Sequence, residues 1–312
     1  MKKIFITAIG GDIGYGIIKS LKKSHHNLYI IGCDIQKYNF AYDLIDEFHS
    51  SPPYKNEEKW MEFVTEILKN QGVDYFWPVT EPEIKIVDKN KSVFNDYVVI
   101  MNNTNILEVA MDKGKTADCL LKAGILTPAT WREIESCNKK FPMVVKEKFG
   151  CGSHSVSIVQ NYDELVEEFH SMKEPIIQTY VGNSDDEYTM AVFSDGNVVN
   201  SIAFKRVLGY GGMSIFVELV HDAATEVIAE KLAKIFELRG SINIQMRKVD
   251  SKYCVFEINP RISSTMGFRH QLGFNDAAWW IDMFEGEKIE KYVTPVENIH
   301  GIRNVEEKLF YE

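Results

Sequence analysis

The sequence predicts a mixed fold, in which an α/β region with a parallel sheet is followed by a longer α+β region. Strand patterns at 3–9 and 28–34 flank a helix pattern, and a helical stripe at 57–70 precedes a third strand at 73–80. This β-α-β order is typical of a parallel, doubly wound sheet. After residue 141 strands predominate, which indicates an antiparallel or mixed sheet. The chain has 312 residues and is 45% hydrophobic, which is sufficient for two domains.

The N-terminal region contains the elements of the parallel sheet and its helices. A glycine turn follows the first strand, and the next helix carries Ile17, Ile18 and Leu21 on one face. The stripe at 57–70 consists of apolar residues at helical spacing, namely Trp60, Phe63, Val64, Ile67 and Leu68. Pro78 ends the third strand, because proline cannot donate to a strand ladder. We expect this region to end near residue 100.

The rest of the chain divides into a small lobe and a strand-rich segment. A helix is predicted at 107–123, with Asp112, Lys113 and Lys115 near its start, and GILTPAT at 124–130 ends it. The lobe then has a strand–loop–strand pattern at 141–159, a helix at 162–172 and a strand at 175–181. Further strands are predicted at 187–194, 198–205, 215–220, 240–248 and 253–259, with a long helix at 222–238 and a last helix that begins near Asp276.

Composition excludes several classes of function. The net charge of −10 disfavours a nucleic-acid partner, which would require a basic surface. The five cysteines show no CxxC spacing, so neither a zinc site nor a disulfide framework is indicated, and free thiols suit the reducing cytosol. The apolar run at the N-terminus is too short for a signal peptide, and no stretch has the length of a membrane span. We therefore predict a cytoplasmic protein without a membrane partner.

The glycine turn near the N-terminus allows two interpretations. Ile9, Gly11 and Gly14 fall on the frame of the GxGxxG dinucleotide fingerprint, and Asp34 ends the second strand where an acidic ribose ligand is expected. The first glycine of the fingerprint is therefore replaced. The alternative is that Gly10 and its neighbours only permit a tight turn and close packing of helix on sheet.

A second candidate phosphate site lies in the segment VVKEKFGCGSHSV. Lys146 and Lys148 share one face of a strand by alternation. The loop that follows supplies backbone N–H groups and hydroxyls that suit an anion, from Gly150, Gly152, Ser153 and Ser155. The segment lacks GxxxxGK[ST], so it is not a P-loop. The alternative is a solvated turn beside two lysines.

The segment GSINIQMRKVDSKYCVFEINPRIS indicates a metal site. Alternation places Ser241, Asn243, Gln245 and Arg247 on one face of the first strand, and Tyr253, Val255, Glu257 and Asn259 on one face of the second. If the two strands pair, Gln245 lies near Glu257 and Asn259, and hard oxygen ligands of this kind suit Mg²⁺. Arg261 follows and would bind a phosphoryl group. The alternative is that Glu257 and Asn259 only face solvent.

Over essentially its whole length, the chain resembles the ATP-grasp proteins, and most of all single synthetase units of the carbamoyl phosphate synthase large-subunit type. The segments that carry the resemblance are MDKGKTADCLLKAGILTPAT, FPMVVKEKFGCGSHSV, PIIQTYVGNSDDEYTM, IAFKR, NIQ and FEINPRISS. The resemblance implies ATP ligands at Lys113, Lys146, Lys148, Gly152, Ser153, Gln178, Val181, Glu187 and Lys205. It implies phosphate cations at Lys113, Lys146 and Lys205. In the segment PIIQTYVGNSDDEYTM, Gln178 and the backbone of Val181 would meet the adenine base, and Glu187 would meet the ribose. The resemblance implies Mg²⁺ or Mn²⁺ at Gln245, Glu257 and Asn259, and a catalytic role for Arg261.

The resemblance also implies a division into domains. A Rossmann-like preATP-grasp domain would cover 1–100, and a two-lobed ATP-grasp domain would cover 101–312. Its small lid lobe would lie at about 115–181 and its metal-binding lobe at about 182–312. In this family the glycine turn does not bind NAD, and Gly11 would instead line the acceptor site.

The function implied by the resemblance is an ATP- and Mg²⁺-dependent ligase that activates a carboxylate as an acyl phosphate for attack by an amine. The alternatives are an ATP-grasp kinase, a nucleotide-sensing module and an NAD-dependent oxidoreductase. Ser263, Ser264 and Arg269 are weaker candidates for the acceptor pocket, and for Arg269 the alternative is a surface ion pair. His154 and His270 are the candidate general bases, and Cys151 lacks a placed partner for a nucleophile. Dimers are common in the family, which makes a homodimer an option.

Overall fold

The computed structural model describes residues 1–150, 156–183, 185–304 and 306–310. The strands are β1 (Lys2–Ile6), β2 (Leu28–Asp34), β3 (Glu47–Ser50), β4 (Tyr75–Trp77), β5 (Val98–Val99), β6 (Thr130–Trp131), β7 (Met143–Glu147), β8 (Val156–Val159), β9 (Pro175–Thr179), β10 (Glu187–Ser194), β11 (Val199–Leu208), β12 (Ser214–Leu219), β13 (Gly240–Val249), β14 (Lys252–Asn259) and β15 (His300–Ile302). The helices are α1 (Asp12–Lys22), α2 (Glu57–Gln71), α3 (Glu81–Lys89), α4 (Thr104–Ala110), α5 (Lys113–Lys122), α6 (Tyr162–Ser171), α7 (Ala223–Ile235), α8 (Met266–Arg269) and α9 (Asp276–Glu285).

The chain forms two compact units. The first contains Met1–Asn102, the segment Arg261–Val293 and the chain from Asn304 onward, and the second contains Asn103–Pro260 and Thr294–Arg303. The predicted division into domains stays a prediction. The structure adds that the segment Arg261–Val293, which follows β14, belongs to the first unit.

The first unit is built on a parallel sheet in the order β3-β2-β1-β4-β5. This confirms the parallel, doubly wound sheet that the β-α-β pattern predicted. The α2 stripe packs as expected, because Trp60, Val64, Ile67 and Leu68 are buried, whereas Phe63 is only half-buried. The short strands β3 and β5 were not predicted, since runs of four and two residues carry too little alternation to be recognised.

Close packing accounts for the glycine turn between β1 and α1. A Cβ atom on Gly14 would lie 2.5 Å from the backbone oxygen of Ala8 and 2.8 Å from Ile9 Cα. The Asp34 carboxylate accepts hydrogen bonds from the backbone N–H groups of Gly10 at 2.8 Å and Gln36 at 3.0 Å. These contacts favour the packing interpretation over the dinucleotide hypothesis, because the proposed ribose ligand already serves to hold the turn.

The Gly14→Ala substitution should destabilise the protein by about 1–3 kcal/mol, the usual cost of forcing an extra carbon into a packed site. The neighbouring atoms are backbone, so they cannot move away at low cost. Urea denaturation followed by circular dichroism measures the change. Gly11→Ala is the matched control, because its Cβ would meet only Ala8 O at 3.6 Å. Equal stability of the two variants would contradict the packing interpretation.

The second unit contains two antiparallel sheets. The larger has the order β14-β13-β10-β11-β12-β15, and the smaller has the order β6-β9-β7-β8. The smaller sheet is antiparallel, which is one of the two arrangements predicted for the α+β lobe. Helix α6 packs on it through Leu165, and α7 packs on the larger sheet through Ala229 and Leu232. Within the described part of the chain, every helix is too short or too polar to traverse a bilayer.

The helix predicted at 107–123 is in fact two helices. The chain leaves α4 after Ala110 and starts α5 at Lys113, with Asp112 as N-cap in an extended conformation. The Asp112 carboxylate accepts hydrogen bonds from the N–H groups of Gly114 and Lys115. Aspartate favours such caps over helix interiors, and this competition ends the first helix.

Candidate functional site

The hairpin that carries the predicted metal ligands is formed by β13 and β14. Strands β13 and β14 pair in antiparallel register, so that Gln245 lies opposite Glu257 and Asn243 lies opposite Asn259. Residues that are cross-strand partners project on the same face, which brings Gln245, Glu257 and Asn259 together. One carboxylate and two amides form an oxygen donor set that fits Mg²⁺. Their role as metal ligands stays a prediction.

A β-bulge divides the hairpin into two halves that face differently. The register shifts next to Gln245, because Met246 pairs with Val255 and leaves Phe256 as an extra residue. Tyr253 and Val255 therefore point into the hydrophobic core with Met246. The prediction that these two residues share a face with Glu257 is wrong, since strict alternation does not hold across a bulge. The Phe256 ring lies 6.0 Å from Lys146 Nζ and 5.6 Å from Arg247 Cζ.

Lys146, on β7 of the small sheet, is buried at 5% exposure. Burial lowers the pKa of its ammonium group to about 8, since desolvation disfavours the charged form. The cations Lys113 and Arg247 lower this pKa further, and the Glu257 carboxylate opposes them. These interactions bring Lys146, Lys113 and Glu257, three predicted site residues from distant parts of the chain, into one electrostatic environment.

The start of α5 is bonded to the strand that carries the lysines. Lys113 Nζ donates to the Gly150 carbonyl at 2.7 Å, and the Lys113 backbone N–H donates to the Lys148 carbonyl at 3.1 Å. Lys148 Nζ lies 3.3 Å from Asp112 Oδ2. The predicted phosphate cations are thus held at the entrance of the glycine loop. Gly152 and Ser153, together with Cys151 and His154, lie outside the described residues.

The predicted adenine segment begins on β9 and continues beyond its end. Gln178 is buried and donates from Nε2 to Thr130 Oγ1 at 2.8 Å. The Val181 carbonyl accepts from Arg247 Nη1 at 3.4 Å, and Arg247 Cζ lies 5.5 Å from the centre of the Tyr180 ring. The residues that follow β9 therefore contact β13 through Arg247. Contacts of Gln178 and Val181 with a base stay predictions.

Glu187, the predicted ribose ligand, lies between two arginines on neighbouring strands. Its carboxylate binds Arg206 Nη2 at 2.7 Å through Oε1 and Arg247 Nη2 at 3.0 Å through Oε2. Both pairs are direct cross-strand partners of β10. Glu187 and Arg206 are buried. The predicted phosphate cation Lys205 lies 2.8 Å from Asp186 Oδ1, and this contact lowers the pKa of Asp186.

The remaining predicted site residues belong to the first unit. Arg261 Nη2 lies 2.9 Å from Glu81 Oε1 at the start of α3. Ser264 is half-buried, and Gly11 is exposed as the residue before α1. Substrate and catalytic roles for these residues stay predictions.

Arg269 is fully buried in the same unit. Its guanidinium forms a bidentate pair with Asp276, at 3.0 Å from Nε and 2.8 Å from Nη2. It also donates to Ser263 Oγ at 3.2 Å and Thr265 Oγ1 at 2.9 Å. The alternative prediction for Arg269 was an ion pair at the surface. An ion pair forms, but it is buried, because neither side chain has any exposed surface. Arg269 thus organises the segment that follows Arg261 from within the fold.

His270, a candidate general base, is also in the first unit. Burial lowers the pKa of its imidazole to about 4, and the nearby cations Lys23, Lys19 and Arg269 lower it further. The ring is therefore neutral at neutral pH, which is the protonation state of a base.

Three further residues contact the predicted site residues, although their sequence pattern indicated no role for them. Arg247 contacts the adenine segment and Glu187, and its two-residue spacing from Gln245 was the available signal. Arg206 holds Glu187 and follows directly after the predicted cation Lys205. Phe256 reaches the site through the bulge, which leaves no signal in the hydrophobic pattern.

The chain is similar in sequence and in fold to known ATP-dependent enzymes of one family. A family model described as an ATP-grasp domain matches residues 110–265, which is half of the chain. The C-terminal section of the carbamoyl phosphate synthase large chain of Aquifex aeolicus is 23% identical over 304 residues, covering 86% of this chain and 55% of that protein. The chain thus spans about half the length of this curated relative, and smaller shares of several full-length large chains.

Solved structures show the same fold. The biotin carboxylase domain of Hydrogenobacter thermophilus 2-oxoglutarate carboxylase, in complex with MgADP, ADP and bicarbonate, matches with a TM-score of 0.74 at 15% identity, covering 92% of this chain and 70% of that one. The N5-carboxyaminoimidazole synthetase of Staphylococcus aureus with ADP matches with a TM-score of 0.72 at 16% identity, covering 93% and 79%.

Proposed function

This chain belongs to the ATP-grasp family, and on that premise we propose that it is an ATP- and Mg²⁺-dependent ligase. It would activate a small carboxylate as an acyl phosphate and transfer the acyl group to an amine. The observation that carries the proposal is the convergence of Lys146, Lys113 and Glu257 in one electrostatic environment. A triphosphate requires cations on one side and oxygen ligands for its metal on the other.

The lysines would act on the phosphates. Lys146 and Lys113 supply positive charge that neutralises the β- and γ-phosphates and orients the γ-phosphoryl group for in-line transfer. Gln245, Glu257 and Asn259 would hold the Mg²⁺, which supplies further charge neutralisation when it is bound. Lys148 and Lys205 would add charge around the triphosphate, with the loop residues Gly152 and Ser153 contributing N–H and hydroxyl donors.

The nucleoside would lie against the end of β9 and the residues that follow it. Gln178 and the backbone of Val181 would meet the base, and Glu187 would meet the ribose. Arg206 and Arg247 hold both oxygens of the Glu187 carboxylate. A ribose hydroxyl would therefore use a lone pair that these arginines leave available, in a fixed orientation.

The reaction would proceed in two steps, phosphorylation of the carboxylate and displacement of phosphate by the amine. A carboxylate oxygen attacks the γ-phosphorus, the bond to the β,γ-bridging oxygen breaks and ADP leaves. The amine then attacks the carbonyl carbon of the acyl phosphate, phosphate leaves, and the proton of the amine passes to solvent or a base. Arg261 would stabilise the charge that develops on the transferring group. Gly11, Ser263 and Ser264 would line the acceptor pocket.

The experiment that tests the proposal is a substrate screen. Purified protein is incubated with ATP, Mg²⁺ and panels of carboxylic acids, amino acids and ammonia, ADP release is measured, and products are identified by mass. Amine-dependent release of ADP and phosphate with a condensed product supports a ligase. A stable phosphorylated product in the absence of amine would support the kinase alternative instead. Gel filtration in the same buffer tests the proposed homodimer.

ATP binding should weaken at alkaline pH. Lys146 has a pKa of about 8, and only its protonated form attracts phosphate. Affinity should be constant below this pH and fall by up to about tenfold per pH unit above it, until the raised pKa of the complex is reached. Calorimetric titration of ATP between neutral pH and about pH 10 measures this.

Lys146→Arg is the control variant for this titration. A guanidinium keeps its charge throughout the range, so its ATP affinity should not fall with pH. A parallel decline in the wild-type protein and in this variant would show that another group causes the pH dependence.

A further inference from the structure

Two adjacent histidines in the first unit converge on one carboxylate. His25 and His26 precede β2, and their Nε2 atoms lie 3.1 and 2.8 Å from Oδ1 of Asp282 on α9. One ligand atom from each of the three side chains lies within 4.8 Å of the others. The ring centres of the two histidines are 4.0 Å apart. This cluster has no part in the nucleotide chemistry proposed above.

An ordinary ion pair does not account for this geometry. His26 Nε2 and Asp282 Oδ1 are close, yet neither has a partner with the direction of a hydrogen bond. An imidazole nitrogen presents its lone pair or its hydrogen along one direction in the ring plane. The in-plane direction of His26 Nε2 therefore passes beside Asp282 Oδ1 rather than through it. The side chains of His26 and Asp282 are only 7% and 9% exposed, and leaving such buried atoms unsatisfied is costly.

We propose that His25, His26 and Asp282 form a binding site for a divalent transition-metal ion of the zinc type. Two imidazole nitrogens and one carboxylate oxygen are ligands that suit Zn²⁺, Co²⁺ and Ni²⁺, whereas Mg²⁺ prefers oxygen ligands alone. Tetrahedral bonds of about 2.0–2.1 Å would separate the ligand atoms by roughly 3.4 Å, so the two histidine–aspartate distances need to widen only slightly. The His25 side chain is 68% exposed, which leaves room for water as the fourth ligand.

The site would join distant parts of the sequence. The histidines end the connection between α1 and β2, and Asp282 belongs to the segment Arg261–Val293 that completes the first unit. A metal that binds only the folded arrangement stabilises it by mass action. The metal would thus stabilise the packing of Arg261–Val293 against the N-terminal part of the first unit, and this effect would not require ATP.

Titration of the full-length, metal-free protein with Co²⁺ tests the proposal. We expect one equivalent to bind with visible d–d absorption and without a thiolate charge-transfer band, and we expect Zn²⁺ to displace it and to raise the melting temperature. His25→Ala should weaken binding by at least about tenfold and abolish the thermal shift, and Asp282→Asn should do the same. His170→Ala, which removes an exposed histidine on α6, should leave both unchanged.

Absence of saturable Co²⁺ binding, or binding that His25→Ala leaves intact, would overturn the proposal. A thiolate band would do so as well, because it would assign the ion to a cysteine. His25 is exposed, so its variant should fold even if Asp282→Asn does not. ATP turnover plays no part in the readout, which separates this outcome from that of the proposed ligase activity.

Discussion

Glu257→Gln should reduce Mg²⁺-dependent ATP turnover by at least about a thousandfold. Glu257 is the one carboxylate among the three predicted metal ligands, and it lies opposite Gln245 on the bulged hairpin. A metal held by it would contribute several kcal/mol to the transition state, and each factor of ten in rate corresponds to about 1.4 kcal/mol. The change keeps the shape of a half-buried side chain, so the melting temperature should change little. ADP release at saturating ATP measures the rate.

Glu230→Gln on α7 is the matched control for this variant. Its side chain is exposed on a helix of the same unit, so the substitution removes one charge at a distance from the hairpin. Its turnover should equal that of the unaltered protein. Turnover by Glu257→Gln at a comparable rate would remove Glu257 from the metal site and would end the proposed assignment of the hairpin.

Asp276→Ala should destabilise the first unit by about 3–5 kcal/mol. The substitution leaves the guanidinium of Arg269 buried without its bidentate partner, and an uncompensated buried charge is among the most costly changes in a protein. The loss should appear as a lower midpoint in urea, followed by tryptophan fluorescence, because Trp279 and Trp280 lie on the same helix.

Two further variants make this result interpretable. Asp118→Ala removes the partner of Arg132 in a pair in which both side chains are half exposed, and it should cost at most about 1 kcal/mol. The double variant Arg269→Met with Asp276→Leu removes both buried charges and should recover most of the stability. If Asp276→Ala cost no more than Asp118→Ala, the pair would not organise the segment after Arg261.

Long, regular elements were predictable from the sequence. The strand predicted at 187–194 has those bounds in the structure, because Tyr188, Val192 and Phe193 favour strands and the run contains no glycine or proline that would interrupt it. The last helix begins at Asp276 as predicted. Brief elements such as β3 and β15 were not predictable, since their strand form depends on pairing with neighbours rather than on their own composition.

The candidate site was predictable as a set of residues but not as a set of contacts. The sequence indicates that the two strands pair. The match of Gln245 with Glu257 depends on the bulge, because a ladder without it would place Phe256 opposite Gln245. The clamp of two arginines on Glu187 requires the register of three strands, which the sequence of one strand does not contain. The return of Arg261–Val293 to the first unit depends in the same way on packing between segments distant in sequence.

The hairpin between β13 and β14 is one residue longer than its ladder requires. If Phe256 were deleted, Val255 would still face Met246 and Glu257 would still face Gln245, with unbroken alternation along the shortened strand. The ladder therefore does not require Phe256, whose ring lies beside Lys146 and Arg247. Deletion of Phe256 would remove the ring from the two cations and leave the oxygen ligands in place. The effect of the ring could then be measured separately from that of the ligands, whereas deletion of a residue from a regular strand would also change the register.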